Sequence, residues 1–206
     1  MGRLGLGSST GHTIVPWPPL DDAVGKASPD VTLGGSITPA IERDFMFMAV
    51  DHFAFAVSNL DRSLAFYAGL LEFEILLRKV WDEEYVRRMV GYPKASLDIA
   101  LLKLPGSDGM ILELIEYKTP VGVAIDSQLP TPGNAHLCLL DGDIDATYRR
   151  LLEEKVEFIS EPVAVTAGPN IGRRAAYFRD PDHIVIQLIE PLEKSCISPY
   201  NQICRT

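Results

Sequence analysis

At 206 residues the chain is long enough for one or two small domains with a real core. Its composition, 47% hydrophobic and 23% charged, is that of an ordinary globular protein. A net charge of −9 argues against nucleic acid, which needs a basic surface, but leaves room for an anionic substrate held by a few arginines.

Residues 1–46 read as an irregular N-terminal arm. Pro16, Pro18, Pro19, Pro29 and Pro39 interrupt it, and no apolar period is sustained, so it cannot bury enough surface to fold alone. It contains no apolar stretch followed by a cleavage site, and no run in the chain reaches the ~18–20 apolar residues of a membrane span. A soluble, cytoplasmic protein without membrane partners is expected.

A first module is expected over 47–118. From about Val50 a strand places His52, Ala54 and Ala56 on one face and Phe53, Phe55 and Val57 on the other. Ser58 or Asn59 can cap a helix over roughly 60–70, with Leu60, Leu64 and Tyr67 or Phe66 as its buried stripe. Strands follow near 72–80, 96–104 and 110–117. Between the first two, Asp82 reads as an N-cap and Gly91 as a stop, giving a short inserted helix. Ser107-Asp108-Gly109 is a hairpin turn signal. A linker rich in Pro and Gly occupies 119–133.

The second module, 134–191, repeats the order: a strand at 134–140, a helix at 143–154, and strands near 156–160, 173–179 and 184–190. Cys138 falls in the apolar first strand and reads as a small buried hydrophobe. Pro169-Asn170 with Gly172, and Asp180-Pro181-Asp182-His183, mark turns. Residues 192–206 form an irregular tail, where Cys196 and Cys204 read as free thiols; an odd cysteine count argues against a disulfide framework.

The two modules are copies. His52 and His136, Leu60 and Ile144, and Asp61 and Asp145 are each 84 residues apart. Each copy opens on a strand carrying one His and closes on a strand carrying Glu113 or Gln187. These are metal-ligand side chains, and a duplicated unit can bring both pairs to one pseudo-twofold axis. One βαβββ unit is too small to cover its own sheet. Two together predict an α+β fold: a half-open barrel with helices outside and a metal-binding cup inside.

His52-x-x-x-x-Val57, Leu60-Asp61-x-x-x-x-Phe66-Tyr67, a terminal Glu strand, the repeat, and Phe178-Arg179-Asp180-Pro181-Asp182 before the last strand together resemble the vicinal oxygen chelate superfamily over about 49–191. Its members include glyoxalases, methylmalonyl-CoA epimerases, extradiol dioxygenases, and fosfomycin and bleomycin resistance proteins. The resemblance implies one divalent metal ion (Zn, Ni, Co, Mn or Fe) held by His52, Glu113, His136 and Gln187. Imidazoles with a carboxylate suit those ions. Open coordination positions would then take a small-molecule substrate with adjacent oxygens. Many members pair, so a homodimer is expected.

Gln187 stands where such proteins usually carry Glu, and it cannot act as a base. The epimerases pair His and Gln in the first module with His and Glu in the second; this chain resembles that set with the modules exchanged. Glu113 would then be both ligand and proton carrier. Asp98, in the middle of an apolar strand, is the candidate second base, since a buried carboxylate needs a reason to be there. It faces with Ala100. Glu116 and Glu190 fall on the face opposite the ligands and read as solvated, and His183 as a surface residue. Trp81, Tyr85 and Tyr92 are candidates to wall the cup. Arg87 or Arg88, and Arg173 or Arg174, are candidates to meet a carboxylate or phosphate.

These readings favour a metal-dependent isomerase or epimerase acting through a metal-stabilised enolate on a small carbonyl compound. The alternatives are a glyoxalase-type lyase, an Fe(II)-dependent dioxygenase, and a non-catalytic ligand-sequestering protein of the resistance type.

Overall fold

A computed structural model describes residues 49–105, 110–125 and 128–191 of the chain. The expected arm at 1–46, the turn at Ser107-Asp108-Gly109 and the tail at 192–206 lie largely or wholly outside the described residues. Module one runs β1 (His52–Ala56), α1 (Leu60–Leu64), β2 (Glu74–Trp81), α2 (Glu84–Val90), β3 (Ser96–Lys103) and β4 (Ile111–Thr119). Module two runs β5 (His136–Leu140), α3 (Ile144–Glu153), β6 (Val163–Ala164), β7 (Arg174–Arg179) and β8 (Val185–Ile189).

Each module folds into one four-stranded sheet, in the orders β1-β4-β3-β2 and β5-β8-β7-β6. The first and last strands of a module run parallel, which requires the helical crossover between them; the other pairs are antiparallel. The sheets stay unclosed, so the α+β half-open barrel expected from the repeat is the fold.

The helices start where the sequence provides caps. Asn59 Oδ1 accepts from the Arg62 amide at 2.8 Å, and Asp143 Oδ1 accepts from the Ala146 amide at 3.0 Å. Glu116, expected to be solvated, instead accepts from the Leu60 amide at 2.8 Å and ties α1 to β4. The α2 helix begins after Glu83 rather than Asp82, and Gly91 ends it with φ +77°. Beyond Leu64 the first helix widens into a π-helical segment, Ala65–Leu70. Both aromatic rings of this segment, Phe66 and Tyr67, are buried, although a plain helical stripe would have taken one.

Those rings join a core that both modules share. Leu60, Leu64, Tyr67, Leu102 and Leu114 from module one pack in one cluster with Ile144, Leu151, Phe178, Ile186 and Leu188 from module two. Phe66 and Phe178 stand 6.3 Å apart, centre to centre. The Asp180-Pro181-Asp182 turn closes the joint. Asp180 accepts from the Tyr67 hydroxyl at 3.1 Å and from the amides of Asp182 and Ile184 at 2.8 and 2.7 Å. Asp182 accepts from the Ser58 amide and from Arg62. Burial pushes the Asp180 carboxyl above its ordinary range against these bonds, and burial beside Asp180 drives the Tyr67 phenol upward.

One expected strand is absent. Residues 156–160 make only an isolated bridge, Phe158 to Phe178, and the edge of the second sheet is the two-residue β6. Phe158 contributes its ring to the core, edge-on to Tyr148 with ring centres 4.6 Å apart, instead of a strand to the sheet. Cys138 is also corrected: it is exposed, because its strand turns it toward the cup and not the core.

Candidate metal and substrate site

Strand pairing decides which side chains share a face. In module one His52 pairs with Ile111, and Ala54 with Glu113. In module two His136 pairs with Val185, and Cys138 with Gln187. The His therefore lies one residue pair before the Glu or Gln, on the same face, in both sheets. The repeat seen in sequence is a repeat of register.

In module one the two expected ligands are in contact. His52 Nε2 lies 3.2 Å from Glu113 Oε2, and His52 Nδ1 lies 2.8 Å from Asp51 Oδ2. The Asp51 hydrogen bond, aided by the charge of Glu113, raises the imidazole above its ordinary value, against a smaller opposing effect of burial. A carboxylate on one ring nitrogen, with the other turned to a second donor, is the usual arrangement around a metal-binding His. Two ligand atoms about 2.1 Å from one ion and at right angles to each other stand about 3 Å apart, so the His52–Glu113 spacing fits two positions on one ion. His136 lies edge-on to Tyr177, with ring centres 5.6 Å apart. Among the described residues no three His, Cys, Asp or Glu side chains converge as a metal site.

Across the first sheet the cup face continues from Glu113 through Leu101 to Leu77, flanked by Ile99, Leu97 and Trp81. The inserted α2 helix lies over this surface. Tyr85, Val86 and Met89 close a pocket of about 180 Å³ whose one carboxylate is Glu113. Trp81 meets Tyr85 edge-on at 6.5 Å and carries Lys79 Nζ 3.9 Å above its ring. Tyr92 and Arg88 are exposed and do not line the pocket; Arg87 Nε donates to the Ala95 carbonyl. A larger cleft, about 470 Å³, runs along β1 beside Val121–Ile125 and contains none of the expected ligands.

Two expected site residues lie on the wrong face. Asp98 pairs with Glu116 and Val80, shares the helix face with Ala100, and is nearly buried. Arg78 holds it at 2.8 Å and reaches Asp61 of α1 at 2.6 Å. It lies on the opposite face of the sheet from Glu113, so the two cannot flank one carbon. Arg174 follows the same rule: its guanidinium grips Asp145 of α3 through bonds of 2.5 and 2.8 Å. Ala100 pairs with Leu114 and Ala176 with Leu188, so Asp98 and Arg174 occupy equivalent positions. Both tie their module's helix to its sheet. Arg173 is buried too, donating to the Glu190 carbonyl and to Asn170.

The glyoxalase/bleomycin resistance protein/dioxygenase superfamily model matches residues 49–188, which take in every described strand and helix except the last residue of β8. The chain belongs to this superfamily. A 2-epi-5-epi-valiolone epimerase from an Actinomyces species is 29% identical over 151 residues, covering 69% of this chain and 79% of that protein. YwkD of Bacillus subtilis strain 168, an uncharacterized protein, is 26% identical over 145 residues, covering 70% of this chain and 98% of its own length. A glyoxalase family protein from Bacillus cereus superimposes with a TM-score of 0.63 at 23% identity, covering 73% of this chain and 99% of that one.

Asp51 and Tyr177 are the site residues that sequence reading missed. Asp51 carried a weak signal as a carboxylate beside the first His. Tyr177 had none, since it reaches His136 only through the β7–β8–β5 pairing.

Proposed function

We propose that the chain is a metal-dependent isomerase or epimerase of small carbonyl compounds, with His52, Glu113, His136 and Gln187 as the metal-holding set. The observation that supports this most directly is the His52–Glu113 pair, backed by Asp51 and repeated in register by His136 and Gln187. The similarity to a protein named as an epimerase points the same way. A divalent ion held there would supply Lewis acidity to a substrate oxygen, easing loss of the proton on the neighbouring carbon.

The chain's own residues would do the rest. Asp51 fixes the His52 ring so that Nε2 faces the cup. Glu113 is the carboxylate on that face that can take the proton and return it. Gln187, a neutral amide, positions oxygen without competing for the proton. With Asp98 tied to Arg78, a proton delivered to the carbon's other side would come from module two, where His136, Cys138 and Tyr177 share the cup face.

Elemental analysis of protein purified without chelator tests this, run beside His52→Ala and His136→Ala. About one divalent ion per chain, lost in both variants, is expected. A folded wild type that takes up none of the five ions when they are supplied would end the reading.

A further inference from the structure

The pocket beneath α2 has a composition that a metal site alone does not require. Ile99, Leu101 and Leu77 form its floor, and Trp81, Tyr85 and Met89 its walls. Tyr85 and Met89 line the pocket while 56% and 73% exposed, so most of their apolar surface is still open to a ligand. Among the described residues module two has no counterpart: β6 passes to β7 through the irregular stretch 165–173, and its cup face carries Tyr177 where module one has Leu101. A dry apolar cavity of about 150 Å³ is enough to take up benzene. The space here, about 180 Å³, is of that size.

We propose that this pocket seats an apolar limb of the substrate, of phenyl or branched-alkyl size, beside the His52–Glu113 pair. The substrate class is then a compound with adjacent oxygens at one end and a hydrophobic group two or three bonds away, in place of a polyhydroxylated one. A sugar-like ring would strip hydroxyls of water against the Leu77, Ile99 and Leu101 floor, which returns no hydrogen bond, and that costs more than the contact gains. This rests on the proposed function for the oxygen-bearing end, while the seat itself stands on the pocket.

Two measurements on the full chain separate these parts. The first uses 4-phenylbutan-1-ol, which lacks adjacent oxygens, and follows Trp81 emission in a Trp17→Phe background. Saturable quenching, abolished in Tyr85→Ala/Met89→Ala, is expected. The second compares the affinity of 4-phenyl-2-oxobutanoate with that of 2-oxobutanoate. Burying the phenyl group favours the first acid by on the order of 100-fold. The double variant should cut that ratio to below about 10, leaving 2-oxobutanoate unaffected, and the ratio should survive His52→Ala. Equal affinity for the two acids, or a phenyl preference indifferent to Tyr85 and Met89, overturns the seat. Quenching by the alcohol with no binding of either acid supports the seat and counts against the proposed function instead.

Discussion

Across module one, Glu113 is followed on the cup face by Leu101 and Leu77, and a helix covers them. Across module two, Gln187 at the equivalent position is followed by Tyr177, and among the described residues no inserted helix stands between β6 and β7 to cover that face. The helix faces of the same two sheets have kept one design. Asp98 and Arg174 hold equivalent positions there, and each links sheet to helix, through Arg78 to Asp61 in one case and directly to Asp145 in the other. Duplication has thus preserved the side that holds the fold together and let the side facing the cup diverge. On the proposed reading, module one supplies the carboxylate and the apolar seat, and module two supplies neutral, polar contacts.

The sharpest way to break this contrast is to exchange the end-strand residues. Glu113→Gln should slow deuterium incorporation beside the carbonyl of 4-phenyl-2-oxobutanoate by roughly 10²- to 10⁴-fold, the usual worth of a positioned base. Gln187→Glu alone should have little effect. If the pseudo-twofold is functional, the double exchange should recover part of the lost rate. Wild-type exchange in Glu113→Gln would remove Glu113 as the proton carrier.

Next in size is the shared core. Phe178→Ala leaves a cavity among residues from both modules and should cost about 3–5 kcal/mol. Because one cluster serves both sheets, chemical unfolding should remain a single transition at a lower midpoint. Two resolved transitions would show that the modules are independent units.

Asp98→Asn tests the helix face. Arg78 loses a charged partner at a nearly buried position, so about 1–2 kcal/mol of stability should go. The exchange rate of the folded variant should stay at the wild-type value. A large fall in rate at unchanged stability would return Asp98 to the catalytic role that its neighbours in sequence suggested.

That misplacement shows what was legible in the sequence. Period-two alternation, two capped helices and a repeated pattern were enough for most of the element order and for the half-open barrel, because each is a local pattern copied twice. Alternation also put Asp98 with Ala100, correctly. It could not say which face of β3 was the cup, since that depends on how β3 pairs with β4, a non-local fact. The error at 156–160 has a related cause. Phe158 looks like strand sequence, but its ring is drawn into the core against Tyr148 and Phe178, and the sheet edge passes to Val163–Ala164. Cys138 was misread because two apolar neighbours, Leu137 and Leu139, point the other way, into the core.

The smallest expected effect concerns pH and discriminates between the two histidines. The folded-state value of His52 is raised, chiefly by Asp51. In the metal-free protein this pairing adds stability below the ordinary His range, and the contribution is lost as pH rises through the raised value. Metal binding runs the other way: the ring must shed its proton, so affinity falls as pH drops through that same raised value. Asp51→Asn removes the main cause. Metal release on acidification should then shift to lower pH, while affinity well above the transition weakens by about tenfold, because the ring is no longer held. His136 has Tyr177 beside it and, among the described residues, no ion pair with a carboxylate. A variant at Tyr177, such as Tyr177→Phe, should therefore leave the release midpoint where it is. A midpoint that moves with Tyr177 and ignores Asp51 would place the controlling proton in module two, and the division of labour between the modules would have to be reversed.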